Sequence, residues 1–358
     1  MAYTTIDDPS AYFQTTLFVG NQTARSITFD GNTNMQPDLV WIKPRDNGTW
    51  SHNLTDSVRG AGKGIFSDLT TAEYDYGTGT DGSVRTFDSN GFSIGTATQV
   101  NNSSSNIVAW NWKAGTSFSN DASATGVGTL DSTASVSSTA GISILSFTGN
   151  ATAGATVAHG IGAAPKFIMS KNRPQSVEGW QCYHASLGGT HRIMLDETGA
   201  ALDNDTFWND TNPTSSIITL GGNHGTNGSS HAMIHYCFTD VQGFSKFGSF
   251  VGNGSATDGV YIHLGFKAAW FMCKRTNASG HDWVIFNNKA LGYNVDNNTL
   301  LANSSAAEGT ADRMDILSNG VKMYNNNGSE NESGGEYIFA AFAENPFVTS
   351  TGIPTTAR

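Results

Sequence analysis

Short runs of bulky apolar residues alternate along the chain with stretches of Gly, Asn, Ser and Thr, and three of those runs share one form. Leu39-Val40-Trp41-Ile42-Lys43, Phe167-Ile168-Met169-Ser170-Lys171 and Trp270-Phe271-Met272-Cys273-Lys274 are each an apolar strand that ends in lysine. A tryptophan follows each lysine within about ten residues, at Trp50, Trp180 and Trp283, a gap that suits a hairpin. Upstream of each lysine strand stands an aromatic-x-Gly-Asn segment: Phe18 to Asn21, Phe147 to Asn150 and Phe250 to Asn253. Downstream come tight-turn signals, Asn90-Gly91 and Asn319-Gly320, with Gly221-Gly222-Asn223 in the middle copy. An aromatic strand closes each unit: Val108 to Trp112, Ile234 to Phe238 and Ile338 to Phe342.

The same marks thus recur three times in the same order, which predicts an all-β chain, a tandem array of three β-sandwich repeats of jelly-roll or lectin-like type. From one opening mark to the next is about 130 and then about 100 residues, sandwich-sized rather than solenoid-sized. Three separate cores are expected. The divisions are an N-terminal arm (1–16), a first repeat (17–115), a Ser/Thr/Gly-rich connector (116–140) able to lend an edge strand, a second repeat (141–243), a third repeat (244–348) and a C-terminal tail (349–358).

Composition supports strands over helices. Charged residues make up 14% of the 358 positions and glycine supplies 41 of them, so the long and charged helix formers give way to turn-forming and β-branched types. A net charge of −11 repels polyphosphate, which argues against nucleic acid as a partner. The first residues carry neither a basic nor an apolar leader pattern, and no stretch reaches the ~20 apolar residues needed to cross a bilayer, so synthesis in the cytosol without membrane insertion is expected. Cys182, Cys237 and Cys273 show no metal-ligand spacing and read as buried free thiols.

With these marks in view, the chain resembles repeat-bearing virion structural and tail-fibre-like proteins of tailed bacteriophages, marine ones in particular. The resemblance covers nearly the whole chain. It runs through the Pro37 to Lys43 strand, the Asp56 to Gly62 turn, the Ala155 to Pro165 segment and the Phe339 to Phe347 end. It implies a place in the virion, on an appendage of tail or head, and brings no catalytic residues with it.

Chemical motifs are weak. Gly60-Ala61-Gly62-Lys63-Gly64 lacks the Ser or Thr of a phosphate loop and reads as a flexible turn. Gly160 to Pro165 begins like a dinucleotide fingerprint but ends in proline, and reads as the turn before the Phe167 strand. Six of nine histidines, His159, His184, His191, His224, His231 and His235, fall in the second repeat; His231 and His235 sit too far apart along one strand to chelate a metal. Asp203-Asn204-Asp205 lacks the other ligands of a calcium loop. Asn21, Asn47 and Asn53 are formal glycan acceptors, best read as turns in a chain without a leader. Lys43, Lys171 and Lys274 are expected to lay their stems over the neighbouring tryptophans.

The expected function is therefore a structural, non-enzymatic component of a phage particle, without cofactor or metal, acting in assembly and host attachment. The alternative is a carbohydrate-binding adhesin, with Trp208 the first ligand-contact candidate; a glycan-degrading enzyme, which needs a carboxylate pair across a cleft, comes third. Tyr12 and Phe13 on the arm are expected to anchor to other virion proteins or another subunit. Open sandwich edges predict self-association, a trimer by preference. Any contact with a host-surface glycan is expected on loops of the second and third repeats.

Overall fold

The structure, a computed structural model, describes residues 2–290, 294, 298–311 and 313–355. It is all-β and sandwich-like, as the sequence predicts, with helices of three or four residues only among the described residues. In the first unit, strands Phe13–Val19, Asn106–Trp112, Leu39–Pro44, Asn53–Asp56, Lys63–Phe66 and Tyr74–Asp75 lie side by side in that order. The second large sheet repeats the order with Ile142–Thr148, Ala232–Phe238, Phe167–Asn172, Gln181–His184, His191–Met194 and Leu202–Asp203. The third has Ser245–Val251, Glu336–Pro346, Phe266–Arg275, Trp283–Asn287 and Leu300–Leu301. The three lysines occupy one register position, opposite Val108, Ile234 and Ile338.

Each large sheet is apolar on both faces, because side chains alternate across a strand and both sides are covered. On the closing strand of the first unit, Ile107 and Ala109 face a small sheet built from Arg25–Thr28, Gly91–Ile94 and Val84–Asp88. Val108, Trp110 and Trp112 face the other way. The corresponding small sheets are Ala155–Ala158 with Ile217–Leu220, and Tyr261–His263 with Gly320–Met323 and Met314–Leu317.

Three local cores between large and small sheets thus exist. The expectation of three separate cores is nonetheless corrected, because the inner faces of all three large sheets meet in one further core. Trp112 of the first unit stands 6.3 Å from Phe238 of the second and 5.8 Å from Trp270 of the third, while Phe238 lies 5.6 Å from Phe342. The sheets surround a shared aromatic centre.

Three seams close the ring in the same way. The Glu73 N–H donates to the Arg173 carbonyl at 2.7 Å, Ala201 to Thr276 at 2.9 Å, and Glu308 to Arg45 at 2.6 Å, linking first to second, second to third and third back to first. Two of the seams add an ion pair, Arg173 with Glu73 and Arg45 with Glu308. At the first seam Arg59 and Asp56 are fully buried with Tyr236 of the second unit, whose hydroxyl donates to Asp56 at 2.6 Å.

Lys171 and Lys274 also belong to the seams, and the burial of all three lysines corrects their reading as covers for tryptophan. All three are fully buried. Lys171 donates to the Thr70 carbonyl of the preceding unit at 2.8 Å, Lys274 reaches Thr198 at 3.4 Å, and Lys43 donates to Pro44 and Asn47. Burial pulls each ammonium down to about 8.

The Gly-Asn marks are explained by three buried asparagines that sequence reading passed over. Backbone N–H groups of Asn21, Asn150 and Asn253 donate to the side-chain oxygens of Asn101, Asn227 and Asn331 at 2.9, 2.8 and 3.0 Å. Their amide nitrogens then bind the carbonyls of Gly95 and Thr23, Gly221 and Thr152, and Asn325 and Ser255. Gly20, Gly149 and Gly252 precede this clasp, where a Cβ would strike backbone of residues 102, 228 and 332. Asn227→Ala, which strands those buried groups, is expected to cost about 2–4 kcal/mol in urea denaturation, and a loss below about 0.5 kcal/mol would contradict the clasp.

Two segments read as peripheral are part of the fold. The connector supplies Thr116–Asn120 and Ser132–Ser137, which pair with each other and with Ile142–Thr148 to extend the second sheet to eight strands. Ala134 and Val136 of the connector reach the local core. The arm likewise packs on its own chain, so its aromatics need no external partner. Phe13 is 2% exposed, begins the opening strand and stacks on Phe342 at 5.3 Å; Tyr12 meets Phe244 edge-on at 6.0 Å. Ile6 enters the shared core, and the Tyr3 hydroxyl donates to Gly265 at 2.7 Å. The described part of the tail lies beside it, with the Ser350 N–H on Asp7 at 2.6 Å.

Candidate functional site

The tryptophan after each lysine strand has a structural slot in two units. The Trp180 N–H donates to Asp196 at 2.8 Å and its indole N–H crosses the seam to the Phe66 carbonyl at 2.7 Å. Trp283 does the same with Asn303 and, across the next seam, the Met194 carbonyl at 2.7 Å. In the first unit the slot belongs to His52, whose N–H donates to Asp68 at 3.1 Å and whose Nδ1 accepts from Trp41 at 2.8 Å. Trp50 is therefore not the counterpart of Trp180 and Trp283, which corrects the repeat mark. It stands two residues earlier, half-buried at the surface.

There Trp50 joins Tyr74, Tyr76, Leu69 and Phe66 around an open groove of about 450 Å³, with Thr49, Ser51, Thr71 and Gln99 among its polar lining. Tyr74 is 56% exposed and meets Tyr76 edge-on at 4.6 Å. The glycine run that resembled a phosphate loop positions this pair. Gly64 lies opposite Tyr74 in the ladder, and a Cβ on it would touch the Tyr76 ring at 3.0 Å. Gly62, at φ +81°, accepts the Tyr76 N–H at 2.8 Å. Burial pushes the Tyr76 hydroxyl up to about 12, so it stays a neutral donor.

The groove lining is uncharged. The nearby carboxylates are engaged elsewhere: Glu73 binds Arg173 and Arg59, and Asp75 binds Lys63 at 3.0 Å. Burial opposes the Glu73 charge, but hydrogen bonds from Arg173 and the Arg59 charge outweigh it and hold the carboxyl below its ordinary range.

The position that Trp50 holds carries different chemistry in the other units. Two residues before Trp180 stands Glu178, on a wider concavity of about 620 Å³ shared with Asp205, Thr206, Asn209, Asn223 and His224. Two residues before Trp283 stands His281, 3.2 Å from Arg275. One scaffold therefore carries a tryptophan, a glutamate and a histidine at the same position.

Over residues 8–346 the sequence matches a family described as a domain of unknown function, DUF7483, a span that takes in all three large sheets. The chain belongs to the DUF7483 family. No curated protein and no solved structure matches it.

The remaining candidates in this DUF7483 chain resolve into structural parts. Trp208, expected on a loop and open to a sugar, is 1% exposed at the end of the short helix Asp205–Trp208. It packs against Tyr183 at 5.9 Å and His235 at 6.1 Å, so it cannot stack on a ligand from solvent. Asn204, within the acidic stretch, caps that helix. His159, His184 and His235 are buried and His191, His224 and His231 lie at or near the surface; among the described residues no group of three or more His, Cys, Asp or Glu is placed to hold a metal ion. Gly160 and Gly162 take positive φ in the turn before the Phe167 strand. The three cysteines are free and buried. Among the described residues no helix is long and apolar enough to cross a membrane.

Proposed function

We propose that the DUF7483 chain is a non-enzymatic structural component of a bacteriophage particle, a tail-fibre or other tail or head appendage that acts in assembly and host attachment. The phage context comes from the sequence resemblance. The observation that carries the structural role is the closed ring, three sheets locked by three seams around one aromatic core. Groups whose acidity is most displaced, such as Lys43, Lys171, Lys274, His184 and His235, lie inside the cores and seams rather than aimed into a cleft, which favours a structural part over a catalyst.

A second reading, an adhesin, is favoured by the exposed aromatic groove on the first unit. Attachment and contact then need not lie at opposite ends, because the arm is folded into the ring. The sheet edges at Phe13–Val19, Thr116–Asn120 and Ser245–Val251 are the surfaces through which we propose any self-association and contact with other virion proteins.

The test is particle composition and position. Mass spectrometry of purified phage particles is expected to find the chain in fixed stoichiometry, and electron microscopy with a labelled antibody is expected to place it on an appendage. Absence from particles of a phage that expresses it would overturn the proposal.

A further inference from the structure

We infer that the groove bounded by Trp50, Tyr74 and Tyr76 binds a neutral hexopyranose, with an apolar face of the sugar ring laid on an aromatic face. This goes beyond the structural role and does not depend on it.

Single exposed apolar side chains are ordinary, but a contiguous exposed aromatic cluster marks a contact site, and a structural duty explains most other aromatics in this chain. Trp50 has no such duty, since His52 fills the slot that Trp180 and Trp283 occupy in the other units. Tyr74 sits on a two-residue strand at the sheet edge with more than half of its surface open. Two glycines, Gly62 and Gly64, are required to let this strand close with its tyrosines side by side. The volume of about 450 Å³ falls within the range of small-ligand sites.

The chemistry of the rim selects among ligands. A pyranose has one or both faces made of C–H groups and an edge of hydroxyls, which matches aromatic faces bordered by the Thr49, Ser51 and Thr71 hydroxyls and the Gln99 amide. Nucleic-acid bases also stack on aromatics, but a chain of net charge −11 with no cation in the lining repels the phosphates that come with them. The same charge disfavours uronate and sialic-acid residues. Neutral hexoses remain.

The experiment is a glycan microarray with the full chain, using neutral glucose, galactose and mannose oligosaccharides beside their uronate- and sialic-acid-bearing matches. Titration calorimetry with the best neutral probe follows, on wild type, Trp50→Ala, Tyr74→Ala and Tyr74→Phe. Neutral probes are expected to bind, both alanine variants to weaken binding by at least about tenfold, and Tyr74→Phe to keep most of it because the ring face remains. Tyr74 is too exposed for its loss to unfold the chain, so Tyr74→Ala stays informative if Trp50→Ala misfolds. The inference is overturned by no neutral binding at millimolar probe, by preference for the acidic glycans, or by binding that both alanine variants retain. A particle protein that fails here remains a particle protein, so the structural reading is tested separately.

Discussion

Trp112→Ala is expected to destabilise the whole chain by about 3–5 kcal/mol, the range for emptying a large aromatic site in a packed core. Trp112 is 2% exposed and touches every unit: Phe13 at 5.0 Å and Trp41 at 6.5 Å in its own, Phe238 at 6.3 Å in the second, Trp270 at 5.8 Å and Phe342 at 5.6 Å in the third. The cavity cannot collapse easily, because its walls belong to three sheets held apart by their own local cores and seams. A loss of this size is a large part of the stability of about 5–15 kcal/mol usual for a folded protein.

The shared core also sets the form of the transition. Three independent sandwiches would unfold in steps, each with its own midpoint. Here removal of any unit exposes the inner faces of the other two, so one cooperative transition is expected by circular dichroism and by tryptophan fluorescence. Urea titration of wild type and Trp112→Ala checks both points. A cost below about 1 kcal/mol, or separated transitions in the wild type, would show that the aromatic centre does not couple the units.

How much of this was legible depended on which physical signal each feature leaves. The lysine strands and the closing aromatic strands could be found because a buried strand is a short apolar run, and the register shows them in matching places. The shared core left a signal too. Ile107 to Trp110 is apolar on both alternating faces, which marks a strand covered on both sides, but the identity of the second cover is a long-range fact that no local pattern carries. The Gly-Asn marks pointed to a turn without revealing its partner, because Asn101, Asn227 and Asn331 lie 77 to 80 residues further on in the same unit and look like ordinary polar residues.

The candidate site was misplaced for a related reason. Trp208 is followed by Asn209 and Asp210, which look like a loop; both take the left-handed conformation that ends the helix, while the indole before them turns inward. Trp50 fits the repeat mark only by its rough distance to Lys43. The spacing was the available clue: His52, not Trp50, stands at the distance from Lys43 that Trp180 keeps from Lys171. A tryptophan out of register with its repeat is free for the surface, and that displacement points to the groove.

Acid is expected to unfold the chain between about pH 6.5 and 4, ahead of the protonation of ordinary carboxylates, because buried histidines must stay neutral for the fold to hold. Burial drives His159 and His184 down to about 4, His235 to about 3 and His52 well below its ordinary value of 6.5. Two of them sit at seams, His184 against the Phe339 carbonyl at 3.1 Å and His52 near backbone of Leu301. Their folded values lie below their unfolded ones, so their contribution is fully present above pH 6.5 and is lost as pH falls toward 4. Each loss is on the order of 3 kcal/mol once complete. Burial raises Asp68, Asp196, Asp240 and Glu330, which act in the opposite sense and offset part of the loss. His235 isolates the effect, since it is enclosed by Phe147 at 4.8 Å and Trp208, and neither ring nitrogen makes a hydrogen bond of normal geometry, with only the Thr226 backbone close by. The third unit places Phe339 at the matching register position, so His235→Phe fits the same architecture. Relative to its effect at pH 8, the substitution is expected to add about 2 kcal/mol at pH 5 and to move the acid midpoint downward. Urea denaturation followed by circular dichroism from pH 8 to 4 reads both quantities. Equal acid midpoints for wild type and His235→Phe, or a wild-type stability that stays flat between pH 6.5 and 4.5, would remove the histidines from the account.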